Sequence, residues 1–297
     1  MTRKVWSCSV LAAGWLSMGA VGQAGAPVAP PTERTVHVTV IDDNGQPVPG
    51  LTAADFTVRE GGQEREVTAV GLPTERMRLA VLVEESVAAD SSVRMGIYEF
   101  ARRMVPQADI ALVLVGLRNV TAVDYTSDLN RIVDAINAFS LRQNPMGEHL
   151  SEGIYEQART FTEAEVSRPA IVAIALEMLQ SSAERPDRVL TQLRRSGAVL
   201  HAVTLFTGQQ FSEVGQMADL AERGQILGEG TRNSGGRRIE VTRTAGVPNA
   251  LQQVADDLSA QYEITYMLPD GVEPSDRLEV RISRRGATLR APIRVAD

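Results

Sequence analysis

The chain has 297 residues, 43% of them hydrophobic and 23% charged, with 37 acids against 30 basic residues and a formal net charge of −7. That is roughly two domains' worth of an ordinary globular chain, and its acidic balance argues against a nucleic-acid partner, which needs a net basic face. Its one cysteine, Cys8, and its one lysine, Lys4, both fall within the first ten residues. Without that stretch the chain offers no thiol nucleophile, thiolate zinc site, disulfide, phosphate-loop lysine or Schiff-base lysine.

Residues 1–24 have the layout of a secretory signal peptide. Arg3 and Lys4 form a short positive region, Val5 to Val21 is uncharged and mostly apolar, and Gly22, Ala24, Gly25 and Ala26 supply small residues. Cleavage after Ala24 is expected, leaving a secreted or periplasmic chain of 28 arginines and 37 acids, or −9. The alternative is an uncleaved anchor, since about 17 apolar residues are the shortest run that spans a bilayer. No later run reaches that length.

Residues 25–34 are proline-rich and read as a linker. The alternation in TVHVTV places Val36, Val38 and Val40 on one face and predicts a strand; Asp42-Asp43-Asn44-Gly45 predicts a turn. Pro-Gly and Gly-Gly breaks divide 35–73 into a β segment of short strands, too small to be stable alone. Beyond it the texture changes. LAVLV (79–83), DIALVLVG (109–116), AIVAIAL (170–176) and AVLHAVTLF (198–206) are continuous apolar runs, the signature of strands buried on both faces.

Amphipathic spacing between these runs predicts helices. The first carries Val93, Ile97, Phe100 and Met104 behind an N-cap at Asp90 to Ser92. Others follow at Leu129 to Phe139, Leu150 to Phe161, Val189 to Leu193 with a Gly197 C-cap, and about 212–227. NVTAVDY (119–125) is expected to hairpin back beside the second core strand, and GEGTRNSGG (228–236) reads as a turn or loop. The arginine pairs at 102–103, 194–195, 237–238 and 284–285 read as solvated faces or strand edges. A last helix (247–261) precedes three alternating strands, YEITYML, RLEVRIS and TLRAPIRV. The whole predicts an α/β fold: a mainly parallel, doubly wound sheet over 77–261. The strands of 262–297 are expected to pair with 35–73 in a small β-sandwich.

In such sheets, binding sites lie beyond the carboxyl ends of the strands. Here the first core strand runs into Glu84-Glu85-Ser86-Val87-Ala88. An apolar strand ending in an acid and a serine resembles the opening of a von Willebrand factor type A domain, where Asp-x-Ser-x-Ser supplies oxygens to a divalent metal. VTVIDDNGQPVPGLTAADF (38–56) resembles the V-x-V-x-D-x-x-G-x-P-V-x-G-L-x-x-x-D-F segment that precedes the A domain in a secreted bacterial subfamily. GEGTRNSGGRRIEV and QYEITYMLPDG are similar to that subfamily's closing part. The resemblance covers nearly the whole chain after the leader and implies a von Willebrand A-like fold used in protein interaction or adhesion.

Laid on the family's metal pattern, Glu84 replaces the first aspartate, Ser86 is retained and Ala88 replaces the second serine. Glu148 falls near the family's threonine, and Leu176 or Glu177 near its last aspartate. Mg²⁺ demands near-ideal octahedral oxygens at short distance. The expectation is therefore a vestigial metal site at Glu84, Ser86, Glu148 and Glu177 and no cofactor, the alternative being a rebuilt Mg²⁺ site on those acids. Without a site, Glu84 and Glu85 read as exposed loop acids.

The function expected is that of an exported, non-catalytic binding module. Its loops near 84–92, 117–119, 144–149 and 177–186, with Glu85, Asp90 and His149 among them, would meet an extracytoplasmic protein partner without a metal. No nucleic acid is expected, and no membrane span in the mature chain. One alternative is a metal-assisted hydrolase using Glu84, Glu148 and His149; against it, no G-x-S-x-G occurs. His37 and His201 fall in strand patterns, as packed residues. The other alternative is a scaffold component of an envelope complex.

Overall fold

The alternating valines of the first strand find their partners at the far end of the chain. In the computed structural model, which describes residues 31–139, 149–176, 182–206 and 214–296, β1 (Thr32–Asp42) is followed by β2 (Phe56–Glu60), β3 (Gln63–Arg65) and β4 (Val67–Gly71). β1 opens at Thr32, inside the run read as a linker. The chain closes with β11 (Gln261–Leu268), β12 (Leu278–Ile282) and β13 (Ala287–Arg290). The two sets interleave as a four-stranded sheet, β13-β1-β11-β4, and a three-stranded sheet, β12-β2-β3. Val36 faces Ile264 and Val38 faces Tyr262 across the antiparallel β1–β11 pair. Together with Phe56, Val58, Tyr266 and Leu278 they build one apolar core between the sheets.

Between these ends lies the α/β part. β5 (Met77–Glu84), α1 (Glu85–Ala88), α2 (Ser91–Met104), β6 (Ala108–Val115), β7 (Val120–Thr126) and α3 (Leu129–Asn137) form its first half. α4 (Leu150–Glu163), β8 (Pro169–Leu176), α5 (Pro186–Ser196), β9 (Val199–Leu205), α6 (Val214–Asn233), β10 (Arg238–Val241) and α7 (Val247–Ser259) complete it. The sheet order is β10-β9-β8-β5-β6-β7, parallel except for β7, which turns back antiparallel at the edge. Helices α2, α3 and α7 cover one face, with Ile97, Ile132 and Leu251 fully buried. α4, α5 and α6 cover the other, with Ile154, Val189 and Leu227 against it. Both faces of β5, β8 and β9 are thus dry, which is why their sequences read as unbroken apolar runs.

One expectation is overturned here. GEGTRNSGG does not begin as a loop: α6 continues through Asn233. At Gly230 the glycine reflects packing, because a Cβ there would stand 2.9 Å from Leu200 Cδ2 on β9. A second concerns Arg237, which was expected to be solvated. Its guanidinium donates to Asp257 Oδ1 (2.5 Å) and also to Oδ2. Asp257, on α7, is fully buried and sits 3.5 Å from Arg290 Nε of β13, while its carbonyl accepts from Thr39 Oγ1 of β1 at 3.1 Å. This cluster joins the α/β part to the sandwich.

Candidate functional site

β5 keeps its buried pattern up to its last residue, so the strand ends in a carboxylate, Glu84, with 0% exposure. A buried carboxylate must be hydrogen-bonded and paired to stay ionised. Glu84 Oε2 accepts from the Leu176 amide of the neighbouring β8 at 2.6 Å. Glu84 Oε1 lies 2.6 Å from Nη2 of Arg223, a residue of α6 that is only 3% exposed. The same guanidinium donates to the Leu176 carbonyl at 2.6 Å. Two strands and a helix are thereby tied at the carboxyl end of the sheet by one internal ion pair. Glu84 is no exposed loop acid.

The neighbouring residues hold the loops together. Glu85, half-buried in α1, lays its carboxylate against Gly116 at the end of β6; a Cβ there would be 2.5 Å from Glu85 Oε2. Asp90 caps α2, accepting from the amides of Ser92 at 2.8 Å and Val93 at 3.3 Å. The amide of His149 donates to the Gly116 carbonyl at 3.2 Å, and Asn119 Nδ2 reaches the His149 carbonyl at 3.4 Å. His149 Nδ1 stands 3.9 Å from Glu152 Oε1. Glu152 also accepts from Ser182 Oγ at 3.0 Å and from the Ala183 amide at 2.6 Å, drawing the segment after β8 onto α4.

Glu84 and Ser86 thus stand together at the strand end, with Glu85, Asp90 and His149 in the adjoining loops. Glu148 and Glu177 lie outside the described residues. Among the described residues the donors do not match what a divalent ion needs. A cation at Glu84 would have to displace a guanidinium already on that carboxylate, and Ala88, which is buried, brings no oxygen. Among the described residues no three His, Cys, Asp or Glu side chains gather as a metal cluster.

Sequence reasoning passed over Arg223 and Glu152. Arg223 did leave a signal. It shares a helical stripe with Ile226, Leu227 and Gly230, and an arginine on an apolar face needs a buried counter-charge. Among the described residues around this locked end, large apolar side chains face solvent. Leu117 after β6 is 56% exposed, Phe206 after β9 53%, and Met217 in the first turn of α6 58%.

No protein-family model matches the chain, and no curated protein matches it. Among solved structures it is similar to an aerotolerance-related membrane protein from Bacteroides fragilis, with 15% identity, 61% of this chain and 98% of that one covered, and a TM-score of 0.42. It is also similar to the VWA domain of SpRpn10, with 10% identity, 62% and 98% coverage, and a TM-score of 0.44. Proximal thread matrix protein 1 from the mussel byssus matches with 14% identity, 67% of this chain and 49% of that one, and a TM-score of 0.48. The strand order, the antiparallel edge strand and the helices on both faces make the α/β part von Willebrand A-like in fold. No helix among the described residues is long and apolar enough to cross a membrane.

Proposed function

We propose that the chain is an exported, non-catalytic protein-interaction module that presents the carboxyl end of its six-stranded sheet to a partner without a metal. The observation that carries this reading is the Glu84–Arg223 pair. A fixed guanidinium stands on the acid that resembles the family's first metal ligand, so the edge is assembled by the chain itself. Preorganised loops lose less conformational freedom on binding. Leu117, Phe206 and Met217 supply exposed apolar anchors around that edge, the kind of side chain that dominates interface energetics once buried. The engagement of Glu84 by Arg223 also occupies one of the three groups, Glu84, Glu148 and His149, on which the hydrolase alternative rests. Export rests on the signal-like residues 1–24.

The test is affinity capture from a native envelope extract in EDTA, with the wild-type chain beside a Leu117→Asp/Phe206→Asp variant. A partner retained in EDTA and lost in the variant is the expected result. A partner that appears only with added Mg²⁺, or that persists in the variant, overturns the reading. Mg²⁺ titrated into the EDTA-stripped chain is expected to give no heat above dilution.

A further inference from the structure

At the opposite end of the sheet, below the amino ends of β8 and β9, a cavity of about 550 Å³ opens between α5, α6, β1 and the segment after β13. Pockets of this size at the junction of two structural units are ordinary small-molecule sites. Among the described residues five arginines line it, Arg34, Arg168, Arg194, Arg195 and Arg294, against two acids, Asp187 and Glu229. That is a concentration of positive charge in a chain whose formal net charge is −7. His37, also on the wall, does not add to it: burial and the charge of Arg168 both push its pKa down.

The arginines are unequally compensated. Arg34 is answered by Glu60 at 2.9 Å. Arg194 and Arg294 share one carboxylate oxygen, Asp276 Oδ2, at 2.7 and 2.5 Å. Arg195 is exposed and makes no hydrogen bond or ion pair among the described residues. Arg168 is the most telling. It is only 5% exposed, yet its three hydrogen bonds go to neutral acceptors: Gln261 Oε1 (3.0 Å), the Glu75 carbonyl (3.3 Å) and the Leu258 carbonyl (3.2 Å). Glu263, the acid that acts on it through space, is itself 3.3 Å from His37 Nε2. Burial drags the Arg168 pKa down to about 10, a mark of a cation short of negative charge. A buried guanidinium normally takes a carboxylate or phosphate as its counter-ion, because its planar fork matches their oxygens.

We propose that this cleft is a binding site for a small organic polyanion, bearing carboxylate or phosphate groups, whose charge completes the Arg168, Arg195 and Arg294 cluster. The apolar side chains of Leu190 and Leu193 line the same cavity and would cover the ligand's carbon skeleton. Such a ligand would also clamp the sandwich to the α/β part, since its cradle is built from both.

The probes are citrate for the carboxylate arm and inorganic pyrophosphate for the phosphate arm. Each is titrated by calorimetry at fixed ionic strength into the wild-type chain and into Arg195→Glu and Arg131→Glu variants. Arg195 is exposed, so its reversal leaves the fold intact; Arg131, exposed on α3 toward the other edge of the sheet, is the control for general charge. One-to-one saturation by at least one probe is expected, weakened about tenfold or more by Arg195→Glu and less than about twofold by Arg131→Glu. The tighter probe identifies the acidic group, and it should raise the thermal midpoint of the wild-type chain. Failure of both probes to saturate, unchanged affinity in Arg195→Glu, or equal weakening in both variants would overturn the proposal.

Discussion

The two ends of the same six-stranded sheet treat a buried arginine in opposite ways. At the carboxyl end, Arg223 meets a fully buried carboxylate, Glu84, and a carbonyl. At the amino end, Arg168 is as deeply placed but meets one amide oxygen and two carbonyls. The first charge is neutralised inside the chain and becomes a rivet. The second keeps unspent positive charge beside a cavity. Burial alone does not tell a structural cation from a binding one; the chemistry of its acceptors does.

The largest expected effect tests the rivet. Glu84→Ala leaves Arg223 buried without its carboxylate and should cost about 3–5 kcal/mol in urea denaturation. The double replacement Glu84→Met/Arg223→Met should recover most of that loss, because two apolar side chains remove both desolvation penalties together. A Glu84→Ala chain as stable as wild type would remove the distinction between the two ends.

Next in size is a pH effect at the seam. His201 on β9 is completely buried, and burial drives its pKa from 6.5 down to about 4. The folded state thus binds fewer protons than the unfolded state between those values. Stability is fully present above about pH 6.5 and falls as the pH drops toward 4, by up to roughly 3 kcal/mol. His201→Gln should flatten this window while keeping an acceptor for the Arg237 amide, which now donates to Nδ1 at 3.3 Å. A wild-type chain equally stable at pH 7 and pH 4.5 would contradict the assignment.

Sharpening the comparison from the other side, Arg168→Met should cost only about 1–2 kcal/mol. Losing three hydrogen bonds to neutral acceptors is partly offset by no longer burying a charge. If it destabilises as much as Glu84→Ala, Arg168 is a structural cation too. The smallest effect belongs to the loop acid Asp90: Asp90→Ala should cost about 1 kcal/mol through the lost cap of α2, read as a shift of the denaturation midpoint.

Much of the fold was legible because it is written in local periodicity. The apolar runs of β5, β6, β8 and β9, the Asp90 cap and the Gly197 C-cap all appear where residue spacing places them. The reading failed where a residue type has two uses. Gly228, Gly230 and the residues around them looked like a loop, yet α6 runs through them, and at Gly230 a Cβ would meet Leu200. Arg237 looked like a surface charge, yet Asp257 from another helix claims it. Glu84 was legible as the place of interest but not as a buried group, since its partner lies on α6, far along the chain.

By itself, then, the sequence determined the alternation of strands and helices and the separation of a β unit at each end, because each follows from side chains within a few residues of one another. The tertiary structure alone decided which charges are spent. Glu84 and Arg223, Asp257 and Arg237, and the unequal company of Arg168 are set by contacts between segments distant in the chain, and a charge's energy depends on the groups and the dielectric around it, not on its neighbours in sequence.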